Sequence, residues 1–360
     1  QGANSYGQLG QSHVEDQCVP RLSFLPCSAL QGRTVRVVDG GGGHSVVLEV
    51  FVCGQNDRGQ LGLGHSTNVL TLQLCPVLNH RVANVACGWD FTLLLTDSGQ
   101  LFACGSNAFG QLGVGQTVTH SSELLAVEPV VSVAAGLRHS LSGSVYQWGT
   151  GLFNHAKRAL SPHPVPSHLN SKLPCPVPLG QRKAQLVTAG SAHCVCLTEE
   201  GELFLWGRNK HGQLATAEPF LPSPTLLNRS LLKGEKVMGV CSGWTHVVAQ
   251  TRGRVFTWGR GDYGQLGRSA SVSENEEMLM GIRKDCIPLE VTSLYGATQI
   301  VCGSEHNLAI VGCLLSWGWN EHGMCGDGSQ ADVFHPRLVS DLRPVVIGCG
   351  AGHSMAVCGV

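Results

Sequence analysis

Six histidines stand in one short phrase, Gly-x-x-His, followed by an apolar run: GGGHSVVL from Gly41, GLRHSL from Gly136, GSAHCVCL from Gly190, GWTHVVA from Gly243, GSEHNLAI from Gly303 and GAGHSMAV from Gly350. Histidine serves as general base and metal ligand, so the set invites a catalytic or metal-binding reading. The spacing argues against both. With Phe91 filling the slot once, in GWDFTLLL, successive positions lie 47 to 60 residues apart, one per repeat. Rings spread one to a repeat cannot converge on a single ion as a compact ligand set does. His44, His139, His193, His246, His306 and His353 therefore read as structural, each anchoring its own turn through a ring nitrogen, because a buried polar ring must find a partner. No metal, no cofactor and no catalytic residue follows from them.

Other chemical signals dissolve in the same way. Gly259-Arg260-Gly261-Asp262-Tyr263-Gly264 fits G-x-G-x-x-G, but no helix is expected after it, and the dinucleotide fingerprint needs a helix N-terminus to hold phosphate. His193-Cys194-Val195-Cys196 lies on an expected strand, where alternate residues face opposite ways, and no second cysteine pair completes a zinc site; His322 and Cys325 read alike. Of the 16 cysteines, Cys87, Cys241, Cys302 and Cys349 adjoin the glycine that opens Gly-x-x-His. They read as small buried hydrophobes in a reducing compartment.

The elements that position these residues are set by a second phrase, W/C-G-x-N-x-x-G-Q-L-G, with copies near residues 2, 54, 105, 149, 207, 259 and 318. A doubled motif recurring at about 51 residues fits a four-stranded propeller blade better than shorter repeat units. Apolar runs flanking Thr96-Asp97-Ser98-Gly99 and Thr198-Glu199-Glu200-Gly201 read as β-hairpins. The expectation is an all-β, seven-bladed β-propeller spanning 1–360. Its closure is expected to be incomplete, because the first motif lacks the strand that should precede it and propellers cover their edges by pairing terminal strands. The hairpins after His44 and His139 are expected to be compressed. Residues 155–186, with six prolines, and 269–298, with the acidic Glu274–Glu277 stretch, are expected to be variable surface loops. Twenty-four Lys and Arg against 25 Asp and Glu give a net charge of −1, which disfavours nucleic acid, and no apolar run is long enough to insert in a membrane.

The paired phrases resemble the regulator of chromosome condensation repeat family, over essentially the whole chain. Segments such as VACGWDFT (85–92), SGWTH (242–246), CGSEHNLAI (302–310) and SWGWNEHGMCGDG (316–328) are most similar to a secretion-linked branch of it. That resemblance implies a seven-bladed propeller, guanine nucleotide exchange on a small GTPase, a link to the exocyst and secretion, and a cytoplasmic and nuclear location; the chain is expected to be a monomer.

The two free letters of Gly-x-x-His escape the repeat's own demands and sit on one loop per blade, so together they line one face. By position, the resemblance implies that polar residues in these loops contact the GTPase, which makes Asp90, Arg138, Thr245 and Glu305 candidate contacts. Trp89 and Trp244 are candidate anchors, since Trp and Arg are enriched at the energetic centres of interfaces. The alternative for the tryptophans is packing over the channel mouth. The alternative for the whole chain is a non-catalytic adaptor propeller without exchange activity.

Overall fold

The computed structural model describes residues 1–23, 35–47, 51–75, 81–115, 118–124, 130–142, 145–269, 278–279, 282–340 and 342–358. Six antiparallel four-stranded sheets follow one another along the chain. In the second blade, for example, Val82–Cys87, Phe91–Thr96, Leu101–Gly105 and Val118–Leu124 pair in order from the axis outward. Its second and third strands, FTLLLT and LFACG, are buried at every position, because neighbouring blades cover both faces. The hairpin between them turns at Gly99, where φ is +79° and the amide donates to the Thr96 carbonyl at 3.0 Å.

The blade count corrects the expectation. The chain forms a six-bladed propeller, and not a seven-bladed one. The last Gly-x-x-His copy lies in a two-stranded hairpin, Pro344–Cys349 with Ser354–Cys358, whose inner strand lies between Val38–Gly40 of the first blade and Gln299–Cys302 of the sixth. The motif at Gly2–Gly10 supplies turns there and two isolated bridges, Gly2 to His353 and Gly2 to Gln17, rather than third and fourth strands. Motif copies count loops, and a loop phrase can persist where its strands do not. At this seam the Ser354 amide donates to the Gln1 carbonyl at 2.9 Å.

Both compressed hairpins form, with His44 opposite Gly54 and Ser140 opposite Trp148. The stretch 155–186 is not irregular throughout. It begins inside the helix Phe153–Leu160 and contains Cys175–Pro176, the outer strand of the third blade, where a proline without an amide hydrogen is tolerated. Of the 269–298 segment, 270–277, with the Glu274–Glu277 stretch, and 280–281 lie outside the described residues.

The W/C slot links the blades. Trp148, Trp206, Trp258 and Trp317 are fully buried. The indole N–H groups of Trp148, Trp258 and Trp317 donate to the carbonyls of Gln111, Gln213 and Gln265, the Gly-Gln-Leu-Gly glutamines of preceding copies. Cys53 and Cys104 direct their thiols at the matching carbonyls of Gln8 and Gln60, both at 3.4 Å. A smaller side chain thus keeps the same acceptor.

Candidate functional site

The motif histidines pack against the glycine that opens their own turn, but their hydrogen bonds leave it. His44 Nε2 lies 2.9 Å from Thr92 Oγ1, His246 Nε2 2.7 Å from Asn307 Oδ1, His306 Nε2 3.0 Å from Ser354 Oγ and His353 Nε2 2.8 Å from Ser45 Oγ. Each partner is the residue that follows the equivalent position of the next repeat. The hydroxyls of Thr92, Ser45 and Ser354 donate onward to the carbonyls of Gln60, Gln8 and Met324, so they accept from an Nε2–H. The expectation that each ring ties down its own turn is therefore replaced by a relay from repeat to repeat. At the positions that would partner His139 and His193 the sequence has Cys194 and Val247, and neither ring has a hydroxyl or amide partner. Burial lowers the imidazole pKa to about 4 at His44 and His139, and to about 3 at His193, His306 and His353.

The inner strands enclose an axial cavity of about 320 Å³, whose lining includes Asp39, Cys87, Cys241 and Cys302, with Trp89 and Trp244 at its mouth. These tryptophans come from the second and fifth blades, yet their ring centroids are 5.6 Å apart at an interplanar angle of 52°. Neighbouring loops fix their backbones: the Trp89 carbonyl accepts from the Gly42 amide at 2.9 Å, and the Trp244 carbonyl accepts from the Ser191 hydroxyl at 2.8 Å. Trp89 remains 44% exposed.

The polar residues divide. Arg138 is exposed, its guanidinium 4.5 Å above the centre of the Phe109 ring. Asp90 is half-buried, and that burial raises its carboxyl pKa against the opposing hydrogen bond of Ser106 and charge of Arg58. Glu305 is buried and occupied internally. It accepts from the Thr245 hydroxyl at 2.6 and 2.8 Å and from the Gln265 amide at 2.7 Å, with His246 Nδ1 3.7 Å away. Burial pushes its carboxyl up, but His246 and those hydrogen bonds outweigh it and hold it below the ordinary value. Thr245 and Glu305 thus splint the loops of two successive blades to one another.

A second set of face residues was hidden in the third letter of W/C-G-x-N. The amides of Arg208, Arg260 and Trp319 donate to the carbonyls of Ala192, Thr245 and Glu305 at 2.8 to 3.0 Å, which lays each beside a Gly-x-x-His loop. Their signal in the sequence was the same freedom from the repeat that marked the other loop letters. Arg260 also stacks on Tyr263 and pairs with Asp262.

Among the described residues, nothing on this face assembles a nucleophile with a base, and no three His, Cys, Asp or Glu side chains are grouped to hold a metal ion. Its chemistry is that of contact: two aromatic rings over a cavity, rimmed by charges.

Comparison with known proteins agrees with this architecture. A family model described as RCC1-like domain matches residues 1–356. The chain is 48% identical over 386 residues to the mouse (Mus musculus) secretion-regulating guanine nucleotide exchange factor, covering 99% of this chain and 82% of that protein. The crystal structure of human WBSCR16 superposes with a TM-score of 0.81 at 25% identity, covering 100% of this chain and 98% of that one. Prp20p from Saccharomyces cerevisiae, a protein studied for binding to Gsp1p and histones, superposes with a TM-score of 0.83 at 22% identity, covering 100% and 91%. Among the described residues, no helix is long and apolar enough to cross a membrane.

Proposed function

The chain belongs to the family of RCC1-like domains, and from that premise we propose that it is a propeller interaction module that acts as a guanine nucleotide exchange factor on a small GTPase. The observation that carries this reading on the molecule itself is the convergence of Trp89 and Trp244 over the cavity mouth, with Asp90 beside Trp89 and Arg138 on a neighbouring loop. An exchange factor needs no nucleophile or cofactor. It must bind the nucleotide-free GTPase more tightly than the loaded forms, so that release is accelerated by differential affinity. Aromatic anchors supply contact area, while a carboxylate such as Asp90 competes for the cations that hold the nucleotide. The similarity to a secretion-regulating exchange factor supports placing the GTPase in secretion; an exocyst subunit as a further partner and a cytoplasmic and nuclear location are part of the same proposal.

One observation favours the adaptor reading. Glu305, the other loop carboxylate, is spent on Thr245 and Gln265, which leaves fewer acidic groups to disturb a bound Mg²⁺. Stopped-flow release of fluorescent GDP from a panel of secretory small GTPases separates the two. Exchange predicts acceleration of at least one member, and binding without acceleration of any would leave the adaptor.

A further inference from the structure

A group of cations on the third and fourth blades lies apart from the ion pairs that hold other arginines. Several arginines on these and other blades have carboxylates close by: Arg182 with Glu202, Arg254 with Glu235 and Glu290, Arg268 with Asp285, Arg337 with Asp327. Among the described residues, Arg138, Lys157, Arg158, Arg208 and Lys210 have no carboxylate within ion-pair distance. They are neighbours. A Cβ on Gly151, two residues before the helix Phe153–Leu160, would fall 2.7 Å from the Arg138 side chain, and a Cβ on Gly207 would fall 3.1 Å from Leu152. The helix is thus wedged between Arg138 and Arg208 and carries Lys157 and Arg158, both exposed, in its last turn. Arg208 ends the third strand of the fourth blade and Lys210 follows it, and Arg260 continues the arc onto the fifth, where Asp262 ends it.

The local field matches this geometry. Burial and then the charges of Arg208 and Arg158 push the His155 imidazole below its ordinary pKa. Burial and then Arg260 and Lys210 do the same to His211, against the smaller opposing pull of Glu305 and Asp262.

We propose that this cationic arc, Arg138, Lys157, Arg158, Arg208 and Lys210, is the docking site for an acidic segment of a protein partner, one that carries an apolar residue to the Trp89–Trp244 pair beside it. The proposal rests on the reading that this face meets a partner, and adds the partner's chemistry. Charge complementarity identifies the occupant: five unpaired cations attract carboxylates and hasten encounter. A protein segment suits the arc better than a nucleic acid. Asp90 and Asp262 stand at its ends, where a regular line of phosphates would meet repulsion, and the chain carries a net charge of −1.

The test uses a fluorescein-labelled twelve-residue peptide of alternating Glu and Asp with one central Leu, its Gln/Asn counterpart, and a single-stranded oligonucleotide of equal charge. The acidic peptide should bind in a salt-dependent manner, the neutral one should not, and Arg208→Glu with Lys210→Glu should weaken binding at least about tenfold. Lys157→Glu with Arg158→Glu on the exposed helix should act similarly. Arg252→Glu, an exposed cation on a remote hairpin turn, should leave binding unchanged, and circular dichroism checks that each variant is folded. Unchanged affinity in both arc variants, an equal loss in Arg252→Glu, or preference for the oligonucleotide would each overturn the proposal. GDP release with the same proteins keeps the readings apart: peptide binding without accelerated release on any GTPase defeats the exchange reading alone.

Discussion

Acidification from pH 7 to pH 5 should cost this fold several kcal/mol, seen as a large drop in the urea midpoint followed by tryptophan fluorescence. Five buried rings carry the effect: His44 and His139 with pKa values near 4, and His193, His306 and His353 near 3, against the ordinary 6.5. Between the two values the unfolded chain binds a proton that the folded chain refuses, so stability rises with pH across that window. The contribution is complete above pH 6.5. It erodes by up to about 1.4 kcal/mol per ring for each pH unit below that, until the folded pKa is reached. Asp39 opposes the trend. Burial raises its carboxyl to about 7, the Cys87 amide pulling it back, so between 3.8 and 7 the folded state holds the extra proton and gains from acidification. Burial raises the Asp90 carboxyl too, and two carboxyls against five rings do not reverse the sign. His193→Phe supplies the control. Phe91 fills the same slot against Gly88, and His193 gives up no hydroxyl or amide partner, so the variant should keep its stability at pH 7.5 while its pH slope falls by about one ring's share. A slope that stays the same would mean that protonation elsewhere drives acid unfolding.

The second large effect concerns binding. Trp89→Ala combined with Trp244→Ala should weaken capture of the partner GTPase or acidic segment about thirtyfold, corresponding to about 2 kcal/mol for the loss of an aromatic centre. The same variant should melt within a few degrees of the wild type. The distinction follows from how the residues are held. The loops are fixed through the main chain, by Gly42 to the Trp89 carbonyl and Ser191 to the Trp244 carbonyl, and those bonds survive truncation of the side chains. If affinity holds and the melting temperature falls steeply instead, the two rings are a plug over the cavity and the partner sits elsewhere.

Much of the fold was legible because its turns are spelled out. Asn56 and Asn209 accept from the amides of Leu61 and Leu214, five residues on, and Gln60 and Gln213 accept from those of Arg58 and His211. Such bonds demand fixed letters, and fixed letters can be counted. The six-bladed count was missed because those letters belong to turns, whereas a blade is made by apolar strands that any β-former can fill. The face was legible in part: Trp89, Asp90 and Arg138 lie in loops at the mouth. Glu305 reads as a free carboxylate until Gln265, 40 residues earlier, is brought against it. The meeting of Trp89 with Trp244 depends on a ring narrow enough for second and fifth blades to touch, a dimension that no local pattern encodes.

The seam between Gly2 and His353 also sets an order of events. Each blade is assembled from neighbours in sequence, but the hydrogen bond from the Ser354 amide to the Gln1 carbonyl joins residues 353 positions apart. Contacts of that span are entropically the last to be rewarded, so the chain should first condense as an open spiral of blades and then snap shut in a single annealing step. The reverse path begins at the same place. Amides of Pro344–Cys349 and Ser354–Cys358 should exchange with deuterium ahead of those in the fourth blade, His193–Thr198 and Leu203–Arg208, and uniform exchange around the ring would show that closure and folding are one event. A ring with one latch can be opened without being dismantled.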